Sequence, residues 1–308
     1  LAKPGGMSAL LTMRGWMFLG QFTDLREYLL SNYDLRSVGD VDRGAFEDVP
    51  NEVLAASMTL FRRAPPVAEV SVAIQPTPLT DRSYDRERTK RKRAAVLSQA
   101  GRFEFYMEGL KAVAGRPLLY WWSAELLEQY RTAPKLGATS PARQGLISGD
   151  MTRFVRNAWE VVQADIHVSR TLLPEKAYLK WAPYIKGAEG RAWFEELGSV
   201  ILWEKDGLEI KSLEKDGRIA SRAQNENFYF RRGVAFSMIG NAFAARAHRY
   251  LSIIGGKGSS VFSDGASLSL CVMNRSISRL ILESLNPGIG FEVGDVNRLP
   301  IFPVESAD

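Results

Sequence analysis

The sequence predicts a mixed α/β or α+β fold, and three observations support this. Met7–Met13 and Val53–Phe61 are apolar runs of strand length, whereas Phe18–Leu30 has apolar residues at helical spacing. Hydrophobic residues make up 45% of the chain, which is ordinary for a globular protein. Because a single helix cannot cover both faces of an open parallel sheet, the first strands are expected to be part of a larger sheet.

The first elements follow one another closely. Lys3–Gly6 is a turn, and Met7–Met13 after it is expected to be a buried strand. The helix Phe18–Leu30 comes next, and further strands are predicted over Leu35–Val38, Val53–Phe61 and Val67–Ile74. This order fits the second half of an α/β sheet.

A proline-rich linker and a basic run follow the strands. The linker contains Pro65, Pro66, Pro76 and Pro78, and the run covers residues 86–93. If the run is helical, Arg86, Lys90 and Arg93 share one face, which could contact a polyanion or could simply be solvated. Helical or mixed elements are predicted over Phe103–Val113 and Leu118–Tyr130.

The second half predicts short elements separated by loops. Residues 138–150 are rich in Gly, Ser and Pro and are expected to form a loop, followed by a helix over Phe154–Ala164. Strands are predicted over Val200–Trp203 and Phe228–Met238, a flexible loop over Gly255–Ser260, and a helix over Leu268–Leu285. Asn286–Ile301 is expected to be a helix stop, a glycine-rich turn and a short extended run.

The composition and short motifs argue against a zinc site, a membrane span and a P-loop, and they leave nucleic-acid binding open. A net charge of +5 permits nucleic-acid binding without requiring it, and the single cysteine, Cys271, favours a reducing cytosol. Two histidines are too few for a convincing zinc site, so no metal is expected. No apolar run is long enough to span a bilayer. The loop Gly255–Ser260 is not a P-loop, because Gly258 stands where Ser or Thr should follow the lysine.

Several strings together resemble a known family. They are Lys3–Gly6 with the strand after it, Val53–Arg62, Gly145–Asp150 with Phe154, Trp181–Gly187, Gly233–Ser237, Gly258–Phe262 and Leu285–Ile301. In this order they resemble the C-terminal part of large adenine-specific (N6) DNA methyltransferases. The similarity is to those of phage-defence systems of the BREX and DISARM types and to fused restriction–modification enzymes.

The resemblance implies a division of the chain into three parts. Residues 1–78 would be the last strands of a Rossmann-like S-adenosylmethionine (SAM) methyltransferase fold, 79–136 a basic helical linker and 137–308 a DNA target-recognition domain. The family's glycine motif and its Asn-Pro-Pro-Tyr motif do not occur in this sequence and are expected upstream of Leu1. The parent enzyme would use SAM, whereas this chain alone is predicted to bind no cofactor and to be inactive.

The resemblance also implies partners and contact residues. Double-stranded DNA, the N-terminal catalytic half and other defence-system proteins are the expected partners. Phe61 would help to pack the flipped base, although a core role is the alternative. The candidate DNA contacts are Arg86, Lys90, Arg93, Arg143, Gln144, Lys186, Arg191, Asn225, Arg231, Arg232, Lys257 and Ser259. Two other functions stay open: a non-enzymatic DNA-specificity subunit, and a protein-interaction module in a defence complex.

Overall fold

A computed structural model describes residues 2–47, 54–76, 87–169, 180–187, 192–239, 242–288 and 290–303. The chain forms two compact units, Leu1–Ala133 and Pro134–Asp308. The first unit combines helices with one sheet and the second combines helices with several, which confirms the mixed α/β class. The described residues 87–133 belong to the first unit, so the segment expected as a linker is part of a folded body there.

The first unit is built on one five-stranded sheet. Its strands are β1 (Met7–Met13), β2 (Asp34–Arg43), β3 (Ala55–Arg62), β4 (Ser71–Ile74) and β5 (Arg102–Phe105), and its helices are α1 (Thr23–Asn32), α2 (Arg88–Leu97) and α3 (Ala124–Thr132). The strand order is β1-β3-β2-β4-β5. Strand β3 is antiparallel to β1 and β2, β4 is parallel to β2, and β5 is antiparallel to β4.

Most predicted elements of this unit are present with shifted boundaries. The strand Met7–Met13 is present, but the expected burial is wrong: the strand is largely exposed, because among the described strands it pairs with β3 alone. The helix expected from Phe18 begins at Thr23, because two 3-10 turns precede it at Arg14–Met17 and Gly20–Phe22. The basic run continues into the helix α2. Its inner face carries Lys92, whose ammonium donates hydrogen bonds to the carbonyls of Val41 and Arg43 at the end of β2.

A buried ion pair joins three segments of the first unit. Arg14 donates from Nε and Nη2 to the two carboxylate oxygens of Asp40 at 2.6 and 2.9 Å. The hydroxyl of Tyr120 donates to Asp40 Oδ2 at 2.8 Å, and Asp40 is fully buried. Burial next to this carboxylate raises the pKa of Tyr120, so the hydroxyl keeps its proton and remains a donor.

The second unit contains two larger sheets and a hairpin. Its strands are β6 (Ala142–Arg143), β7 (Val155–Asn157), β8 (Trp181–Ile185), β9 (Trp193–Phe194), β10 (Ser199–Leu202), β11 (Glu214–Lys215), β12 (Arg218–Ile219), β13 (Val234–Phe236), β14 (Ala245–Ala247), β15 (Ile253–Ile254) and β16 (Ser260–Val261). Its helices are α4 (Leu136–Thr139), α5 (Met151–Phe154), α6 (Glu204–Lys211), α7 (Ala266–Asn274), α8 (Ser276–Leu285) and α9 (Val293–Asn297). The sheets have the orders β15-β8-β10-β7 and β6-β16-β13-β14-β9, and β11 pairs with β12.

One large hydrophobic cluster occupies the second unit. It joins side chains of both sheets, including Ile185 and Ile201 from one and Ala235 from the other, with Phe154 and Trp203 among them. These side chains are nearly inaccessible to solvent. The short strands of this unit are therefore held in place mainly by burial of their side chains in this common core, since their ladders of hydrogen bonds are short.

Two predicted helices differ from the structure. The helix expected over Phe154–Ala164 is wrong: α5 ends at Phe154, and Val155–Asn157 pairs with β10 as a strand. The helix expected over Leu268–Leu285 divides into α7 and α8, because Arg275 between them has an extended backbone with ψ of 144°.

Three further boundaries needed correction. The region 138–150 holds α4 and β6 as well as loop. The strand expected over Phe228–Met238 is limited to Val234–Phe236. The closing segment contains the helix α9, which begins with a capping box between Glu292 and Asp295.

Neither a metal cluster nor a membrane span is found in the described part of the chain. No group of three or more His, Cys, Asp or Glu side chains there could hold a metal ion. None of the helices described is long and apolar enough to cross a bilayer.

Candidate nucleic-acid interface

Several predicted contact residues meet around residues 255–259, here called the glycine loop. Leu146 donates its N–H to the carbonyl of Ile254, and Gly256 donates to the carbonyl of Leu146, both at 2.8 Å. The side chain of Gln144 donates to the carbonyl of Gly256 at 3.0 Å. Asn225 in turn donates from its side-chain amide to the carbonyl of Gln144 at 2.9 Å. Segments distant in sequence are thus tied into one surface.

Two glycines permit this close approach of backbones. A Cβ atom at Gly145 would lie 1.9 Å from the carbonyl oxygen of Ile254. At Gly258 it would lie 2.1 Å from the carbonyl oxygen of Ile185. Larger residues cannot occupy either position without a shift of the backbone, so glycine is required at both positions for steric reasons.

Two arginines of this surface lie over the same aromatic ring. The guanidinium carbon of Arg143 is 5.4 Å from the centroid of Phe228, and that of Arg231 is 5.5 Å from it. Phe228 is itself packed against Phe262, with ring centroids 4.8 Å apart. The ring is therefore held in place by Phe262 and contacts two positive charges.

His248 holds the backbone near Arg231. Its Nδ1 is 3.1 Å from the carbonyl oxygen of Arg231, and its Nε2 is 2.9 Å from the hydroxyl oxygen of Ser260. Burial lowers the pKa of His248 to about 4. The neutral ring satisfies both contacts when Nδ1 donates to the carbonyl and Nε2 accepts from the hydroxyl.

A cleft of about 650 Å³ lies between the two larger sheets of the second unit. Lys186 and Lys257, both exposed, lie at its edge, and an ion pair between Arg246 Nε and Glu195 Oε2 at 2.6 Å lies within it. Trp159 and Phe194 also line it and are 75% and 58% exposed. The cleft thus combines cations with accessible aromatic faces, both of which suit nucleic acid.

The remaining candidates lie in different environments. Lys90 and Arg93 are exposed on α2 of the first unit, where Lys90 forms an ion pair with Glu87 at 3.1 Å. Arg232 is exposed in the second unit. Arg86 and Arg191 lie outside the described residues.

The structure corrects the assignment of Ser259. Its side chain is fully buried, and its hydroxyl donates to the sulfur of Met238 at 2.9 Å. The buried hydroxyl stabilises the glycine loop through this contact with Met238 and is not accessible to a ligand.

Phe61 lies in the core. It is 5% exposed, and its ring centroid is 6.4 Å from that of Trp16. It also lies near the starting ends of β1 and β2, where Ser8 and Leu35 are its strand partners. Both observations favour the core role that was weighed against base packing.

Sequence reasoning missed the support provided by Phe228, His248 and the aromatic side chains of the cleft. Their spacing forms no motif, since each reaches the site through tertiary contacts alone. Aromatic and basic residues do interleave between Trp181 and Lys205, and Trp193 and Phe194 of that stretch are exposed.

Asp40, near the carboxyl end of β2, does not fit the role of a carboxylate that holds a SAM ribose. In open α/β sheets, ligands bind beyond the carboxyl ends of parallel strands, and the parallel pair of this sheet is β2 and β4. Asp40 near that edge is fully buried and bound to Arg14 and Tyr120, so it cannot hold ribose hydroxyls.

Two curated proteins are similar to nearly the whole chain. One is "Adenine-specific methyltransferase PglX" of Lacticaseibacillus casei (strain Zhang), 29% identical over 98% of this chain and 26% of that protein. The other is "Adenine-specific methyltransferase BrxX" of Escherichia coli O9:H4 (strain HS), 25% identical over 98% of this chain and 24% of that protein. The resemblance to adenine-specific methyltransferases is thereby confirmed. The chain spans about a quarter of the length of these relatives.

No family model matches the sequence. Among solved structures, the type IIG restriction endonuclease BpuSI is 14% identical, with a TM-score of 0.39 over 99% of this chain and 41% of that chain. A DrdV–DNA complex is 11% identical, with a TM-score of 0.41 over 98% of this chain and 37% of that chain. Neither score is high enough to assign the fold.

Proposed function

We propose that this chain is the DNA target-recognition part, with the last strands of the catalytic fold, of a SAM-dependent adenine-N6 DNA methyltransferase. The second unit would hold duplex DNA in register through the glycine loop and the cleft beside it. Methyl transfer to an extruded adenine would be carried out by a segment that has the SAM and Asn-Pro-Pro-Tyr motifs.

The observation that carries this proposal is the convergence of separate candidates on one surface. Gln144 and Asn225 are linked to the glycine loop by hydrogen bonds of 3.0 and 2.9 Å, and Lys257 of the same loop lines the cleft. Lysine and arginine side chains supply phosphate contacts, whereas amides and aromatic faces suit base edges and unstacked bases. Proteins named adenine-specific methyltransferases align with 98% of the chain, and this similarity supports the same function.

The free edge of β1 supports the proposal for the first unit. Among the described strands, β1 pairs with β3 alone, and Leu11 and Met13 on it are 59% and 63% exposed. Exposed apolar edge strands are normally covered, because their free N–H and C=O groups pair readily with other chains. In the proposed parent enzyme, a strand of the catalytic part pairs with β1 and continues the sheet, and the catalytic part binds SAM.

Duplex binding by the 308-residue chain tests the recognition function. We expect binding at about 50 mM salt, and we expect Lys186→Gln combined with Lys257→Gln to weaken it by about tenfold or more, since two phosphate contacts are lost. Lys205→Gln is the matched control, because Lys205 is an exposed lysine of the same unit outside the cleft. Equal affinities for the double variant and the control would contradict the proposed surface.

Methylation assays separate the proposal from its two alternatives. The chain alone should transfer no methyl group, and activity by the purified chain would contradict the division of labour. A DNA-specificity subunit would also bind duplex DNA but would work with a separately encoded catalytic chain. The gene sequence upstream of Leu1 distinguishes this alternative, because the proposal expects the SAM and Asn-Pro-Pro-Tyr motifs to be encoded there. A protein-interaction module of a defence complex would show no duplex binding at low salt.

A further inference from the structure

Arg143 and Arg231 lie near the same aromatic ring and form no ion pair with a carboxylate of the described residues. They come from β6 and from the segment that leads into β13, and both lie over Phe228. Since each guanidinium carbon is within 5.5 Å of the same ring centroid, the two are at most about 11 Å apart.

Their charges are not neutralised by the described part of the protein. No carboxylate among the described residues forms an ion pair with either guanidinium, and Arg143 donates to the carbonyl of Ala142 at 3.0 Å. Other exposed arginines of the same unit do have such partners, as in the pairs Arg153–Glu209 and Arg279–Glu283. Two cations near one ring form a positively charged patch that favours an anion.

The backbone around Phe228 is held in an uncommon conformation. Asn225 and Phe230 on either side of it have φ of +51° and +56°, in the left-handed region. Asn225 is fixed by its hydrogen bond to Gln144, and the N–H of Phe230 donates to the carbonyl of Ser252 at 2.9 Å. Strain of this kind at a bulky residue is typical of functional surfaces, where the surrounding contacts maintain it.

We infer that Arg143 and Arg231 form a binding site for one phosphodiester group of the DNA backbone. Phe228 supports both guanidiniums, and their N–H groups donate to the phosphate oxygens. This inference rests on the proposed function and adds to it the point where the duplex is anchored. A phosphate contact of this kind fixes the register of the duplex and carries no sequence information.

The salt dependence of duplex binding tests whether one phosphate is shared. Arg143→Gln and Arg231→Gln should each reduce the slope of log K against log salt by less than about 0.9, the contribution of one phosphate, because the remaining arginine still contacts the shared phosphate. Because both side chains contact the same phosphate, the double variant should lose about 0.9 in slope and not about 1.8. The control is Arg249→Gln, since Arg249 is an exposed arginine of the same unit over a different ring, 5.3 Å from the centroid of Tyr250, and its slope should equal that of the wild type.

Two results would overturn the inference. A slope of the double variant equal to that of Arg249→Gln would contradict the site. A loss of about 1.8 in the double variant would indicate two separate phosphates.

Binding of inorganic pyrophosphate separates this inference from the proposed function. Pyrophosphate should raise the melting temperature of the wild type and of Arg249→Gln, and leave the double variant unchanged. If the wild type does not bind duplex DNA yet shows this pattern, the anion site stands and the DNA function fails. If duplex binding is normal and neither probe distinguishes the variants, the DNA function stands and the site fails.

Discussion

The side-chain amide of Asn225 donates a 2.9 Å hydrogen bond to the backbone carbonyl of Gln144. This contact ties the turn that carries Phe228 to the segment that begins with β6. Gln144 is itself bound to Gly256, so one chain of hydrogen bonds connects three separate parts of the proposed interface.

Replacing Asn225 should loosen this surface in a graded way. Asn225→Ala removes the hydrogen bond and keeps a β-carbon at φ +51°, so we expect a loss of about 1–2 kcal/mol in the free energy of unfolding. Asn225→Gly removes the same hydrogen bond but tolerates this φ, and its loss should be smaller. Urea denaturation measures both, and an equal or larger loss for glycine would contradict the assignment of strain.

Stability should fall on mild acidification because of His248. Burial lowers its pKa from 6.5 to about 4, so the unfolded chain binds the proton more tightly than the folded protein does. The stability present above pH 6.5 is therefore lost progressively as the pH falls towards 4, by at most about 3 kcal/mol.

The variant His248→Gln should show a shallower fall over the same pH range. The pKa of His167 is also lowered by burial, so His167→Gln is the control for the other histidine. Denaturation midpoints between pH 7 and pH 4 provide the measurement, and parallel curves for wild type and His248→Gln would contradict this role.

Gly258 should not tolerate a side chain. In Gly258→Ala the new Cβ meets the carbonyl oxygen of Ile185, so we expect a loss of about 1–3 kcal/mol and weaker duplex binding as the glycine loop shifts. Gly198→Ala is the control, because nothing lies within 4 Å of its Cβ position. Thermal melts compare the two, and equal melting temperatures would contradict the packing described for the loop.

The hydrogen-bonded group of Arg14, Asp40 and Tyr120 should contribute strongly to the stability of the first unit. Asp40→Ala leaves the largely buried Arg14 without its carboxylate, which costs about 3–5 kcal/mol. Tyr120→Phe removes one hydrogen bond to the same carboxylate and should cost about 1.5–3 kcal/mol. Urea denaturation tests the order, and a larger loss for Tyr120→Phe would contradict it.

The sequence predicted those elements whose pattern is local. Met7–Met13 and the basic helix carry their own signal in apolar run length and charge. The expected helix over Phe154–Ala164 failed because Val155–Asn157 is short, and its pairing with β10 overrides local preference. Distant segments must meet before such strands become recognisable.

The same limit applies to the candidate site. The sequence singled out Arg143 and Arg231 as cations in loop-like segments, but their common support, Phe228, follows only from the folded chain. Ser259 was chosen for its polarity, and its burial against Met238 depends on how the glycine loop folds. Residue type therefore indicates candidates, and tertiary contacts decide which of them face a ligand.

The affinity of the 308-residue chain for duplex DNA across salt concentrations tests the central claim most directly. If the second unit holds DNA through several phosphate contacts, affinity should fall by orders of magnitude between about 50 and about 200 mM salt. A fluorescence anisotropy titration with a labelled duplex measures it. No detectable binding at about 50 mM salt, or an affinity independent of salt over this range, would contradict target recognition by this chain.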